Sequence, residues 1–361
     1  MNKPASIETI DKRLDSLSAV DKALFDRLYS LKVNCGKIAV QPNLRKWIVR
    51  QFGSVEAVEN QTIVRITNKI TGEESIYNSI RALRPCDTRQ KETVSIDSLD
   101  SCTDGFARPL EMTPGDTFGR IKGKHCVTAS NIAKCEELHG VVIFDEFNPL
   151  KWGREEIADY FDTARCWAEK AHARYPQNKY FFFCWNCLWR SGASINHGHA
   201  QMTLSKGRAF SHIERLRRAA LGYRRRYHSS YFDDLFKVHE SLGLAVDRGG
   251  VRVLAYLTPV KSNEIIIVAD NTSTAFTDAI FESLSLYRDR LGTTSFNLAA
   301  VTPPLDKTRE NWQGFPVMAW MVDRGRLEFR SSDIGSLELF AASSVASDPF
   351  KLASLLKESE K

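Results

Sequence analysis

The sequence predicts an α+β fold built from a duplicated unit, an antiparallel sheet with helices laid on it, and three observations carry that expectation. Residues 125–204 read as strand, loop, strand, helix, strand, strand, from the switch between alternating and helical apolar spacing. Residues 251–322 repeat that order. The last strands of the two series align, 197–202 against 316–321, so the correspondence runs over roughly eighty residues. Antiparallel strands with helices gathered on one side are the α+β arrangement.

Taken in order, residues 11–31 carry apolar side chains at helical spacing and predict a helix. Residues 46–51 and 62–67 read as strands, with a turn at 69–73. Residues 84–115 are rich in Pro, Asp, Ser and Thr, as expected of a surface loop or linker. The first unit then has strands at 125–129 and 140–144 around a loop at 130–139, a helix at 154–174, and strands at 179–184 and 197–204. The second has strands at 251–257 and 264–269, a helix at 274–291, and strands at 294–299 and 315–322. Asn186 and Asn297 fall at comparable places, and Met318 stands where the first unit has His199. The expected division is an N-terminal helix and strand region (1–110), a first half carrying the site (111–245) and a degenerate second half (246–361).

A chain of 361 residues can bury a sizeable core in one large domain or two to three smaller ones. Its 26% charged and 43% hydrophobic residues are ordinary for a soluble enzyme. No apolar run is long enough for a bilayer, and Glu8 and Asp11 fall where a signal peptide needs an apolar core. A cytoplasmic protein with no membrane partner is expected. The eight cysteines (Cys35, Cys86, Cys102, Cys126, Cys135, Cys166, Cys184 and Cys187) are unevenly spaced, unlike a secreted disulfide framework. Only Cys184-Trp-Asn-Cys187 has metal or redox spacing, and inside the aromatic run 180–189 it reads as buried core thiols. The net charge is +6, with a basic run at Arg208, Arg215, Arg217, Arg218, Arg224, Arg225 and Arg226. That run reads first as a solvated helix face and second as attraction for a polyanion such as a nucleotide. No nucleic-acid-binding motif accompanies it, so no nucleic-acid partner is expected.

Reactive residues concentrate at 191–201. His197, His199 and Gln201 alternate, so a strand would carry all three on one face. The small-residue turn Ser191-Gly192-Ala193-Ser194 comes just before them. A neutral imidazole can attack phosphorus and carry it as a phosphoramidate. A carbonyl on the far ring nitrogen keeps the near one available. The amides of the Gly192–Ser194 turn, the Ser194 hydroxyl and the Gln201 amide can face charge on phosphoryl oxygens. Two histidines alone would read as hydrogen-bonded strand residues; the glutamine and the turn move the reading to catalysis. Asn186 by itself reads as an amide satisfying a strand, and Asn131 as a turn former. Glu338, at a predicted helix start, reads as a cap. Arg120, Lys122 and Lys124 read as solvated loop charges.

With these residues the chain resembles the histidine-triad superfamily in its transferase branch, which contains galactose-1-phosphate uridylyltransferase and diadenosine tetraphosphate phosphorylase. The branch motif, His-x-His-x-Gln after a Gly/Ser turn, stands here as His197-Gly-His199-Ala-Gln201 after Gly192-Ala-Ser194. Asn186, eleven residues before His197, has the spacing of the uridylyltransferases, and residues 131–139 before an apolar strand resemble the nucleotide-gripping loop. The resemblance covers residues 110–350 and implies a duplicated uridylyltransferase-like architecture. It implies that His199 is the nucleophile, that Gln201 holds a non-bridging phosphate oxygen, and that His197 supports the site. Asn131, Asn186, Gly192 and Ser194 would bind the nucleotide. The chain departs from the pattern at Gly198, where the motif has Pro, and at Asn148, where zinc-bearing relatives have His. The N-terminal third has no Cys-x-x-Cys, and Ser344 stands where a Gln would help Glu338 hold a hexose. Neither a metal nor a cofactor is expected.

The resemblance implies a nucleotidyltransferase that moves a nucleoside monophosphate, through a covalent nucleotidyl-histidine, from a nucleotide or nucleotide-sugar donor to a phosphorylated acceptor such as a sugar 1-phosphate. Two alternatives stand beside it. One is a phosphorylase that splits a dinucleoside polyphosphate or nucleotide-sugar with inorganic phosphate. The other is a nucleotide-binding protein without turnover. Neither base nor acceptor is legible in the residue types, and a homodimer is expected by analogy alone.

Overall fold

The structure, a computed structural model, describes residues 5–85, 105–329 and 332–358. Cys86, Cys102 and the middle of the predicted 84–115 loop lie outside the described residues. A small sheet holds β1 (Tyr29–Lys37), β2 (Asn60–Asn68), β3 (Glu74–Tyr77) and, from the far end of the chain, β13 (Ser343–Val345), in the order β1-β2-β3-β13. The large sheet holds β4 (Cys126–Ser130), β5 (Leu138–Phe144), β6 (Asn178–Asn186), β7 (His199–Lys206), β8 (Ala245–Arg248), β9 (Val251–Ala255), β10 (Ile265–Ala269), β11 (Phe296–Val301) and β12 (Val317–Asp323). Its order is β4-β5-β7-β6-β11-β12-β10-β9-β8, and every pairing is antiparallel. The α+β class is thus the observed one.

The duplication is written into the register. Aligning Gln201 with Trp320 matches β7 to β12. Gln201 lies opposite Cys184, and Trp320 lies opposite Ala299. Cys184 and Ala299 are themselves opposite each other where β6 meets β11. A local two-fold axis therefore passes through that pair, and the halves β4-β5-β7-β6 and β9-β10-β12-β11 are joined edge to edge across it. The same register corrects one expectation. Asn186 and Asn297 lie on opposite sides of the axis and pair with each other, so they are partners and not equivalents.

Strand alternation divides the first half into two faces. Val142, Phe144, Ala200, Met202, Leu204, Phe183 and Trp185 are all buried with the helix Arg154–Arg174, which contributes Ile157, Tyr160, Ala164, Trp167, Ala168 and Ala171. The Phe144 and Tyr160 rings stack at 3.7 Å. Gly140 lets the helix come close: a Cβ there would sit 2.8 Å from Met202 and 2.9 Å from Trp167. His139, His199 and Gln201 occupy the other face, away from this helix. In the second half the equivalent face carries Met318 and Trp320, with Trp320 against the His212 ring at 6.2 Å, at the start of the helix Ser211–Tyr227. That helix carries the basic run from Arg215 to Arg226, and Arg208 precedes it.

Two N-terminal expectations change. Residues 46–51 are not a strand but part of the helix Arg45–Phe52, which buries Ile48 against Val40 and Val58. A short apolar run fits either period, and here the Gly53 cap at φ +82° closes the helix by donating to the Val49 carbonyl. The predicted 11–31 helix is two helices, Ile10–Asp15 and Ala19–Leu28, and the chain turns into β1 at Tyr29. Among the described residues no helix is long and apolar enough to cross a membrane.

Candidate active site

β7 starts at His199, two residues later than predicted. His197 precedes the ladder in a loop that Gly198 ties to the β5 end: Gly198 donates to the Phe147 carbonyl (2.8 Å), and Phe144 donates to the Gly198 carbonyl (2.9 Å). A Cβ at 198 would lie 2.7 Å from Phe144 Cδ2 and 2.8 Å from the Glu146 carbonyl oxygen. Proline would add that clash and remove the N–H. Glycine between the histidines is thus the local geometry's own requirement.

The two imidazoles are buried, His197 at 5% and His199 at 7% exposure. His197 Nε2 donates to the Phe144 carbonyl at 2.9 Å, and its ring lies 5.5 Å from that of Phe147. His199 Nδ1 donates to the His197 carbonyl at 2.7 Å, which places the ring's lone pair on Nε2. Phe106, from the segment Gly105–Ala107, lies edge-on over His199 at 5.2 Å. Phe106 thus covers one side of the imidazole.

Gln201 is held by residues from β5 and the loop before it. Its Oε1 accepts from His139 Nε2 at 2.9 Å and from Asn131 Nδ2 at 3.4 Å. His139 Nδ1 accepts from the Cys135 amide at 3.1 Å, so the proton is on Nε2. Burial holds His139 below the ordinary imidazole range, against the hydrogen bond to Gln201 and with the charge of Lys134 adding to it. With its oxygen bound, the Gln201 amide keeps its NH2 end as a donor. The Asn131 amide is engaged at both ends, its oxygen by the Ala133 amide at 2.9 Å.

Asn186 follows the same design. Its Oδ1 accepts from Asn297 Nδ2 at 2.7 Å, and Asn297 also donates to the Ser191 carbonyl at 2.8 Å. Asn186 and His199 each stand two residues along from the opposed pair Cys184 and Gln201, on one sheet face. The turn differs from expectation. Gly192, at φ +96°, and Ala193 give their amides to the carbonyls of Trp189 (3.0 Å) and Leu188 (3.2 Å), so these two N–H groups close the turn itself. Ser194 is exposed. Of the predicted residues, the structure gathers His197, His199, Gln201, Asn131 and Asn186 on or beside one sheet face, and Ser191, just before Gly192 and Ser194, is tied to it through Asn297.

His139 and Phe106 are the members that sequence reasoning missed. His139 lay at the end of the expected gripping loop, and only the β5–β7 register shows it diagonal to Gln201. Zinc does not suit this corner: Asn148 Oδ1 accepts the Leu150 amide at 3.0 Å, and His197 Nε2 is on a carbonyl. Burial pushes the Cys184 thiol up to about 12 and raises that of Cys187 as well, which suits core packing and not nucleophilic use.

The sequence matches no family model and no curated protein. Solved structures do match. An ADP-glucose phosphorylase from Arabidopsis thaliana, with bound ADP-glucose, gives a TM-score of 0.62 at 15% identity over 81% of this chain and 97% of that one. A GalT-like protein from the same plant gives 0.58 at 14% identity over 81% and 97%. A uridylyltransferase gives 0.56 at 12% identity over 82% and 98%. These likenesses show the fold, which the chain shares with the ADP-glucose phosphorylase, the GalT-like protein and the uridylyltransferase.

Proposed function

We propose that this protein is a nucleotidyltransferase working through His199. One observation carries the reading: His199 Nδ1 is fixed on the His197 carbonyl at 2.7 Å while the neighbouring Gln201 amide is braced through its oxygen by His139 at 2.9 Å. Nε2 attacks the α-phosphorus of a nucleotide donor. A P–N bond forms as the P–O bond to the leaving phosphate breaks, and the departing oxygen keeps the electron pair. The His197 carbonyl stabilises the ring while it carries phosphorus, and the NH2 groups of Gln201 and Asn186 face non-bridging oxygens. An acceptor phosphate oxygen then attacks, the P–N bond breaks, and the imidazole is restored.

Intact-mass measurement after mixing with nucleotides and nucleotide-sugars tests this. The expected result is a gain of one nucleoside monophosphate in the wild type that His199→Ala lacks; no adduct with any donor would leave the binding-protein reading. A second reading, cleavage of a nucleotide-sugar by inorganic phosphate, draws support from the likeness to the ADP-glucose phosphorylase. Isolated adduct given inorganic phosphate or sugar 1-phosphate separates the two by product.

A further inference from the structure

The far side of the Ser191 turn borders a hollow of about 570 Å³. Its walls come from distant parts of the chain: Arg81 and Arg84 beside the small sheet, Arg190 of the turn, Lys261 of the loop before β10, and Arg324 just after β12. The carboxylates that line it are already engaged. Asp333 takes two hydrogen bonds from Arg324, at 2.7 and 2.6 Å. Asp323 accepts from the Gly325 amide at 2.6 Å and from Asn263 at 3.0 Å. Glu338, the residue implied as a hexose ligand, accepts the Gly335 amide at 2.9 Å and caps its own short helix.

The cations are less well matched. Among the described residues Arg81, Arg84 and Lys261 have no carboxylate within 4.0 Å. Among the described residues Lys261 hydrogen-bonds a backbone carbonyl, that of Asp333, and Arg84 does the same with Arg81, at 3.2 Å. Burial and the charge of Arg84 hold the Arg81 guanidinium below its usual range, and burial does so for the Lys261 ammonium. Arg81 and Lys261 are partly buried and Arg84 is exposed beside them, and crowded, partly buried cations gain most from a ligand that brings negative charge. The hollow also communicates with the candidate active site: Arg324 donates to Asn297 Oδ1 at 2.6 Å, and Asn297 holds Asn186.

We infer that this hollow is an oxyanion site for the distal end of the acceptor. The acceptor then carries two anionic groups: one phosphate attacks the phosphorus on His199, and the second anion, a phosphate or carboxylate, rests among Arg81, Arg84 and Lys261. This inference rests on the transferase reading for its role, while the anion site itself stands without it.

Calorimetric titration with inorganic pyrophosphate, at low salt and without nucleotide, tests the site. Wild type is expected to bind one equivalent. His199→Ala should bind within about two-fold of wild type, and Arg81→Ala/Lys261→Ala about ten-fold or more weakly, the scale of one lost charge-assisted contact. Should the double variant melt early, Lys261→Met and Arg84→Gln replace it, each expected at about three-fold or more weaker. Glucose should not bind. Absence of pyrophosphate binding, unchanged affinity in the cation variants, loss in His199→Ala, or binding of glucose in place of pyrophosphate would each overturn the inference. Failure to form a nucleotidyl adduct would sink the transferase reading and leave this binding result separate.

Discussion

At the scale of single residues the candidate chemistry depends on how two amides are turned. An amide offers a donor end and an acceptor end, and a phosphate oxygen needs the donor. His139 fixes that choice for Gln201, and Asn297 fixes it for Asn186. On the proposed reading His139 is a positioning residue. His139→Leu should slow adduct formation on the order of ten-fold, against about a hundred-fold for Gln201→Ala, which removes a donor outright. In stopped-time mass measurements His139→Gln, whose amide can still donate, should recover part of the rate while the melting temperature stays with that of His139→Leu. Equal rates in wild type and His139→Leu would remove His139 from the site. Gly198 makes a complementary point. Gly198→Ala forces a methyl into contacts of 2.7 and 2.8 Å and should lower stability by roughly 1–3 kcal/mol in denaturant titration. Gly198→Pro should cost more, because the bond to the Phe147 carbonyl goes too.

At the scale of elements, a pair of strands does what neither does alone. β7 carries His199 and Gln201, and β5 supplies both the His139 brace and the start of the turn that holds His197. The periodicity of β7 was legible, because alternation of His, His and Gln is a strand signal. The place where the ladder begins was not, since Gly198 hydrogen-bonds to the 144–147 turn and so holds His197 outside it. Residues 46–51 failed for a related reason. Six residues do not separate a period of two from one of 3.6, and the packing of Ile48 with Val40 and Val58 settled it.

At the scale of the whole molecule, the two sheets are joined by a buried polar seam. Asn68 donates to the hydroxyls of Tyr231 (2.9 Å) and Tyr256 (3.2 Å), Ser75 to the Pro259 carbonyl (2.8 Å), and Tyr77 to the Leu257 carbonyl (2.8 Å). His239 lies beside this seam, fully buried and stacked on Tyr256. Its Nδ1 donates to the Leu235 carbonyl at 2.8 Å, and its Nε2 accepts the Leu257 amide at 3.3 Å. Protonating Nε2 would set N–H against N–H, and burial lowers this imidazole to about 4, against the support of the Leu235 carbonyl. The sign follows. A histidine depressed from an unfolded value of about 6.5 binds fewer protons when folded, so stability is retained above 6.5 and lost as pH falls toward 4. The loss should approach roughly 3 kcal/mol over that window. Denaturant titrations at pH 8, 6 and 5 check this: His239→Asn should be less stable at pH 8 but should show a shallower pH slope. Parallel slopes would refute the assignment.

The sequence by itself determined the α+β class, the duplicated order of elements and the motif residues His197, His199 and Gln201, because strand alternation and turn chemistry are local and leave a periodic trace. The tertiary structure decided the rest. It set Asn186 against Asn297 instead of in equivalent places, put His139 behind Gln201 and laid Phe106 over His199. It also drew Arg81, Lys261 and Arg324 to one hollow. Each of these joins residues that are far apart in the chain, and only sheet register and the meeting of chain ends bring such residues together.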